Sequence, residues 1–166
     1  MSKRSRSAAG AGATPATRAL TAAAVPFTER AYRHDPAVTG YGAEAAQVLG
    51  VDPRRVLKTL MAEVDGALTV AVVPVSGSLD LKALAAAVGG KRATMADPAL
   101  AERRTGYVVG GISPLGQRHA HPTVVDASAL THPTVLVSGG RRGLDLELSP
   151  ADLVALTGAV VAPVSR

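Results

Sequence analysis

A chain of 166 residues with 47% hydrophobic content is long and apolar enough to bury a full core, which excludes a disordered polymer. Aromatics are only 2% and cysteine is absent, so the core must be built from Val, Leu and Ala. A disulfide framework and a thiol nucleophile are both excluded, as suits a cytoplasmic protein. The formal charge of +5 invites a nucleic-acid reading, but residues 1–18 hold four cations and no acid, and the rest holds 14 cations against 13 acids.

In chain order, residues 1–13 read as a flexible basic tail of Ser, Ala and Gly, without the apolar segment of a secretory signal. Residues 14–166 read as a single domain. Thr14 followed by Pro15 is a helix start, and the helix runs to about Ala24, before Pro26. Residues 27–33 are extended, and a short helix over 43–49 closes at Gly50. Val56–Val64 and Ala67–Val73 are two strands around Asp65-Gly66, a strong hairpin dipeptide. Leu79–Val88 is a helix ended by Gly89-Gly90. Asp97-Pro98 opens another, which finishes on Arg103 and Arg104, where cations suit the helix dipole. Short strands are expected at 106–109, 123–126, 134–138 and 143–148. Ser149-Pro150 caps a last helix over roughly 150–156, and 159–164 is a final strand. Strands outnumber helices and come as hairpin neighbours. The expected fold is α+β, a mixed sheet with a barrel-like core and flanking helices. No stretch approaches the ~18 apolar residues of a membrane span.

Thr105–Gly116, TGYVVGGISPLG, carries four glycines and a proline with hardly any charge. Glycine permits positive φ and close approach of another group, so a run this dense suggests backbone arranged around something. Val137–Leu148, VSGGRRGLDLEL, echoes it. Common catalytic signatures are missing. There is no phosphate loop, Ser113 does not sit in G-x-S-x-G, and His34, His119, His121 and His132 form no metal signature. Asp35 in RHDP reads as a turn initiator. Lys58 interrupts the apolar series Val56, Leu57, Leu60, Met61. Strand alternation puts it on the face of Val56 and Leu60. It either points an ammonium into a cavity or packs its stem at an edge and reaches water. Asp145 either faces solvent from a half-buried strand or sits at the mouth of the Gly139/Gly140/Gly143 loop. Tyr32 and Tyr41 lie at turns, as core-edge residues or as pocket walls.

Taken in order, TPATRAL, AYRHDP, VLKTL, VVPVSGSLDLKALA, ADPALAERRTGYVVGGISPLGQ, PTVVDASA and VSGGRRGLDLEL resemble the YbaK/EbsC family. These are free-standing aminoacyl-tRNA deacylases related to the editing domain of bacterial prolyl-tRNA synthetases, and the match is nearest the Cys-tRNA(Pro) deacylase branch. The resemblance covers about residue 14 to the end. It implies no cofactor or metal, and mischarged tRNA and prolyl-tRNA synthetase as partners; a cytoplasmic monomer is the default expectation beside it. It implies Lys58 and Asp145 as catalytic residues, and Tyr32, Tyr41, Thr59, Gly110 and Ser138 as substrate-binding residues. Relatives commonly carry Phe at the Tyr41 position, so a hydroxyl there is not essential to the family role. In the cysteine branch the substrate's own thiol attacks the ester. Three other readings stay open at this level. They are an Ala-tRNA(Pro) deacylase using water, a non-catalytic tRNA- or synthetase-binding module, and a small-molecule binding protein.

Overall fold

The computed structural model describes residues 12–166, so most of the basic tail lies outside the described residues. The first element is α1 (Pro15–Ala22), closed at its start by a capping box between Thr14 and Thr17. The Thr14 hydroxyl also donates to the carbonyl of Gly139 at 2.5 Å, which fastens the helix start to a distant strand. There follow β1 (Thr28–Ala31), α2 (Tyr41–Leu49), β2 (Leu57–Val64) and β3 (Ala67–Pro74). Next come α3 (Leu81–Ala87), β4 (Ala93–Met95), α4 (Pro98–Thr105) and β5 (Thr123–Asp126). The chain ends with β6 (Val135–Arg141), β7 (Leu144–Leu148), α5 (Pro150–Thr157) and β8 (Val160–Ala162). The architecture is mixed α+β: five helices around two sheets.

One sheet has the order β1-β7-β6 and the other β4-β2-β3-β5-β8. β2 and β3 pair antiparallel about Asp65 and Gly66, both at positive φ (50° and 85°), as a tight hairpin with the native strand twist requires. β3, β5 and β8 run parallel. Alternation along β3 divides the interior. Val70 and Val72 face the second sheet in the main core, with Leu57, Met61, Val137, Leu144 and Leu146. Ala71 and Val73 face α3 on the other side, with Leu84 and Ala85. Both faces of β3 are covered, which is why its sequence is almost continuously apolar.

The sheets meet at one isolated parallel bridge, Val56 with Leu136, where the Leu136 amide donates to the Arg55 carbonyl at 2.9 Å. Ala45 and Ala46 of α2 and Val51 cover that junction.

Two elements differ from the expectation. Residues 106–109 form no strand; they belong to a loop that follows Gly106, the left-handed cap of α4. The loop is held by side chains: the Tyr107 hydroxyl donates to the Leu115 carbonyl at 2.6 Å, and the Val109 amide donates to the Glu102 carboxylate at 2.8 Å. Tyr107, Ile112 and Leu115 each plug the core from this loop, which gives a strand-like apolar pattern without a ladder. β4 had no local signal; its three residues are extended because they pair with Ala62–Val64. Among the described residues no helix is long and apolar enough to cross a membrane.

Leu136 is fully buried at the junction. Leu136→Ala should cost about 2–5 kcal/mol in urea denaturation, whereas Val48→Ala on the exposed face of α2 should cost far less.

Candidate active site

The one backbone bridge from this segment to β6 is at Val56, just before β2, and the strand's other ladder neighbour, β4, begins opposite Ala62. Between those contacts the edge from Lys58 to Leu60 has no strand beside it. A cavity of about 470 Å³ fills the gap, and Tyr32, Tyr41, Lys58, Thr59, Gly110, Ser138 and Asp145 all line it. All seven residues singled out in the sequence are thus brought together, from six separate segments.

Lys58 and Thr59 leave opposite faces of β2, as alternation requires. The Lys58 ammonium donates to the Gly77 carbonyl at 2.9 Å. That carbonyl is itself held in place. The neighbouring Ser78 and Arg166 exchange two backbone hydrogen bonds of 2.9 Å each. The buried Asp126 carboxylate accepts from the amides of Val164 and Ser165 at 2.8 and 3.0 Å. Lys58 has three N–H donors, and no second acceptor for them is found among the described residues. The Thr59 hydroxyl is buried and finds no partner among the described residues.

Asp145 comes from β7, paired with Arg30 of β1 and Ser138 of β6. It is 7% exposed, and among the described residues no hydrogen bond or ion pair satisfies it. Arg30 points instead to Glu147 at 2.5 Å, and Glu147 also takes Arg55 at 3.0 Å and the Thr134 hydroxyl. Burial therefore pushes the Asp145 carboxyl up to about 7, only partly opposed by the charge of Arg30. Tyr32 is pushed up to about 12, first by burial and then by the neighbouring Asp145 charge, so its hydroxyl stays a neutral donor. The Ser138 hydroxyl accepts from the Gly140 amide at 3.2 Å, beside the bulge that interrupts β6 and β7.

The other rim is α2 and the glycine loop. Tyr41 opens α2, and its ring lies under the Arg142 guanidinium at 4.7 Å and 5.6 Å from the His34 ring. Arg142 grips the Val109 carbonyl with two N–H groups, at 3.0 and 2.5 Å. Gly110 has φ +89°, and a Cβ there would sit 2.8 Å from the Tyr41 ring. A Cβ at Gly111 would sit 2.8 Å from Cα of Arg141. The glycines thus let the loop press against the β6–β7 turn and Tyr41, while Gly110 forms part of the cavity wall.

The sequence reading missed three contributions. Glu44, buried in α2, accepts from the Asp35 amide at 2.8 Å and meets His34 Nδ1 at 2.7 Å, fixing the RHDP turn behind Tyr41. These two contacts hold its carboxyl below the usual range. Arg142 read only as half of a basic pair. Met61, Met95, Ala96, Pro98, Ala101 and Ile112 supply an apolar wall; their spacing gave no sign of convergence.

Chemically, the site offers an ammonium, a desolvated carboxylate, a neutral phenol and hydroxyls against an apolar wall. Among the described residues no hydroxyl of the cavity hydrogen-bonds to a side-chain base. An attacking group must therefore arrive with the substrate or as water.

Residues 35–156 match the family model described as aminoacyl-tRNA editing domain. EbsC of Enterococcus faecalis (strain ATCC 700802 / V583), a proposed Cys-tRNA(Pro)/Cys-tRNA(Cys) deacylase, is 37% identical over 123 residues, covering 72% of this chain and 74% of that one. The crystal structure of a hypothetical protein superimposes with TM-score 0.83 at 31% identity, over 92% of this chain and 100% of the other. That of a proposed trans-editing enzyme for prolyl-tRNA synthetase does so with TM-score 0.76 at 28% identity, over 93% and 99%.

The raised Asp145 pKa fixes a sign. The folded state holds this proton more tightly than the unfolded chain, so stability falls as pH rises from about 4 to about 7 and is level beyond. Asp145→Asn removes that loss. Relative to the parent, the variant should gain nothing at pH 4 and of the order of 4 kcal/mol above pH 8, for about three units at 1.36 kcal/mol each. Urea denaturation across this range is the measurement; a difference independent of pH would contradict a desolvated carboxylate.

Proposed function

The chain belongs to the aminoacyl-tRNA editing-domain family, and from that premise we propose that it is a deacylase cleaving the ester between a wrong amino acid and the 3′-terminal ribose of tRNA, with Cys-tRNA(Pro) as its substrate. Editing takes place in the cytoplasm, on tRNA mischarged by prolyl-tRNA synthetase. The observation that carries the reading is the convergence of Lys58 and the uncompensated Asp145 on one cavity without an activated side-chain nucleophile. Catalysis then rests on position and charge.

In this reading the cysteinyl thiol attacks its own ester carbonyl. The S–C bond forms, the C–O bond to the ribose breaks, and the thiol proton ends on the departing ribose oxygen. Such intramolecular attack has a large effective concentration, provided the reactive pose is held. The free N–H groups of Lys58 face the ester and stabilise the oxyanion that develops. Asp145 receives the α-ammonium of the aminoacyl group. A cation there supplies the counter-charge that Arg30 withholds, so substrate binding ionises Asp145 and offsets the cost of its burial. Tyr32 and Ser138 orient the ribose end with hydroxyl hydrogen bonds. Thr59 and the backbone at Gly110 line the aminoacyl pocket. A thiol-dependent step also solves a selection problem. Small side chains differ by only about 1–3 kcal/mol in an apolar pocket, whereas the chemistry itself distinguishes sulfur.

Lys58→Ala should lower the single-turnover rate on Cys-tRNA(Pro) by a factor of roughly 10²–10³, the usual cost of one oxyanion donor, with unchanged circular dichroism. Full retained activity would remove Lys58 from the reaction. Ser-tRNA(Pro), which substitutes oxygen for sulfur, should be cleaved at least a hundredfold more slowly. Comparable rates on Cys-, Ser- and Ala-tRNA(Pro) would replace the thiol route with attack by water. Absence of turnover on any of them would leave a binding module.

A further inference from the structure

Residues 103–125 hold three arginines and two histidines and not one acid, although the chain beyond residue 18 is nearly neutral. The fold gathers the exposed cations of this stretch. The end of α4 and the loop after the glycine run are tied by backbone hydrogen bonds, Arg118 amide to Thr105 carbonyl at 2.9 Å and His119 amide to Arg104 carbonyl at 3.2 Å. Arg118 packs over Gly106, with its guanidinium reaching the Arg103 carbonyl at 3.5 Å. Arg103, Arg104, Arg118 and His119 thus share one exposed face, and none forms an ion pair among the described residues. The adjacent acid makes no ion pair with them among the described residues; the Glu102 carboxylate accepts from the Val109 amide instead. Their closeness registers at a neighbour: the His121 pKa is lowered by burial and then by the charges of Arg104 and His119.

This face begins at the cavity. Pro98 and Ala101 of α4 line it. Arg104 follows Ala101 by three residues, about one turn along the same side of the helix. Val109, at the rim, carries Arg142 on its carbonyl. A substrate with its ester in the cavity and a polyanionic body outside meets these cations next.

Building on the deacylase reading, we infer that Arg103, Arg104, Arg118 and His119 form a docking surface for RNA phosphates, holding the acceptor arm of the tRNA whose 3′ end enters the cavity. Phosphate contacts position without reading sequence, and each one lost weakens the salt dependence of binding. The surface therefore supplies grip for tRNA generally and leaves selection to the cavity.

The test uses the full chain and the double variant Arg104→Ala/Arg118→Ala. Binding of uncharged tRNA is followed by fluorescence anisotropy over a salt series. Turnover is followed on Cys-tRNA(Pro) and on the cysteinyl ester of a CCA trinucleotide. The variant should bind tRNA at least tenfold more weakly at about 0.1 M salt, with the log–log salt slope smaller by roughly two. Its KM for Cys-tRNA(Pro) should rise, while kcat and turnover of the trinucleotide ester stay unchanged. Arg104→Lys/Arg118→Lys, which keeps both charges, should retain the parental slope and so separate lost charge from misfolding. Unchanged affinity and slope in the alanine variant would overturn the assignment, also if that variant lost binding to an acidic protein instead. If the deacylase reading fails, the parent leaves both esters intact, while the anisotropy series still decides the surface.

Discussion

The organising constraint is that two sheets of unequal size are joined at a single point. Val56 and Leu136 bridge them, and past that point β2 and β6 diverge. Had the pairing continued, the fold would have closed into a barrel and the space would be side-chain core. Because it stops, β2 keeps an open edge from Lys58 to Leu60, and that edge becomes the floor of a cavity. α2, the glycine loop and the Ser138 bulge are arranged around the same opening. The fully buried apolar junction that supplies stability thus lies near two buried polar side chains that find no hydrogen-bond partner among the described residues, Thr59 three residues beyond Val56 and Asp145 on the strand paired with β6.

Strand alternation puts two acids on one face, and their partners and burial make them electrostatically unequal. Asp145 and Glu147 are two residues apart on β7, and both neighbour Arg30 across the ladder. Glu147 takes the arginine, together with Arg55 and Thr134, and its carboxyl is held below the usual range, first by the Thr134 hydroxyl. Asp145 is left with burial. One carboxylate is made structural and its neighbour is left responsive, through the difference in partners and in burial.

Much of the fold was legible because its signals are local. Thr14-Pro15, Asp97-Pro98 and Ser149-Pro150 do start helices, and Asp65-Gly66 does turn a hairpin. The misreadings have one physical origin, tertiary override. A loop that plugs the core with Tyr107, Ile112 and Leu115 carries a strand's composition, and β4 is extended only because β2 is there to pair with it. The site divides in the same way. Alternation could state that Lys58 and Thr59 leave opposite faces, but not that the open edge of β2 would let both line one cavity. That Tyr32, Lys58, Gly110, Ser138 and Asp145 converge came from likeness to a family; no spacing rule connects them. Glu44 and Arg142 act on side chains remote in sequence, so only three dimensions reveal them. The glycine run was legible as a place of close approach, yet much of what approaches is the protein's own chain.

The hydrogen bond from Lys58 to Gly77 has a thermodynamic consequence. A lysine side chain ordinarily samples many rotamers, and confining one costs up to about 2 kcal/mol. Here the direction of the ammonium is set by a carbonyl that is itself pinned, through Ser78 and Arg166, to the strand-end residues gripped by Asp126. That confinement is completed during folding, before any substrate arrives. On the proposed reading the ammonium would meet the ester as a fixed charge with little reorganisation left to perform, its aim set by residues more than a hundred positions away in sequence.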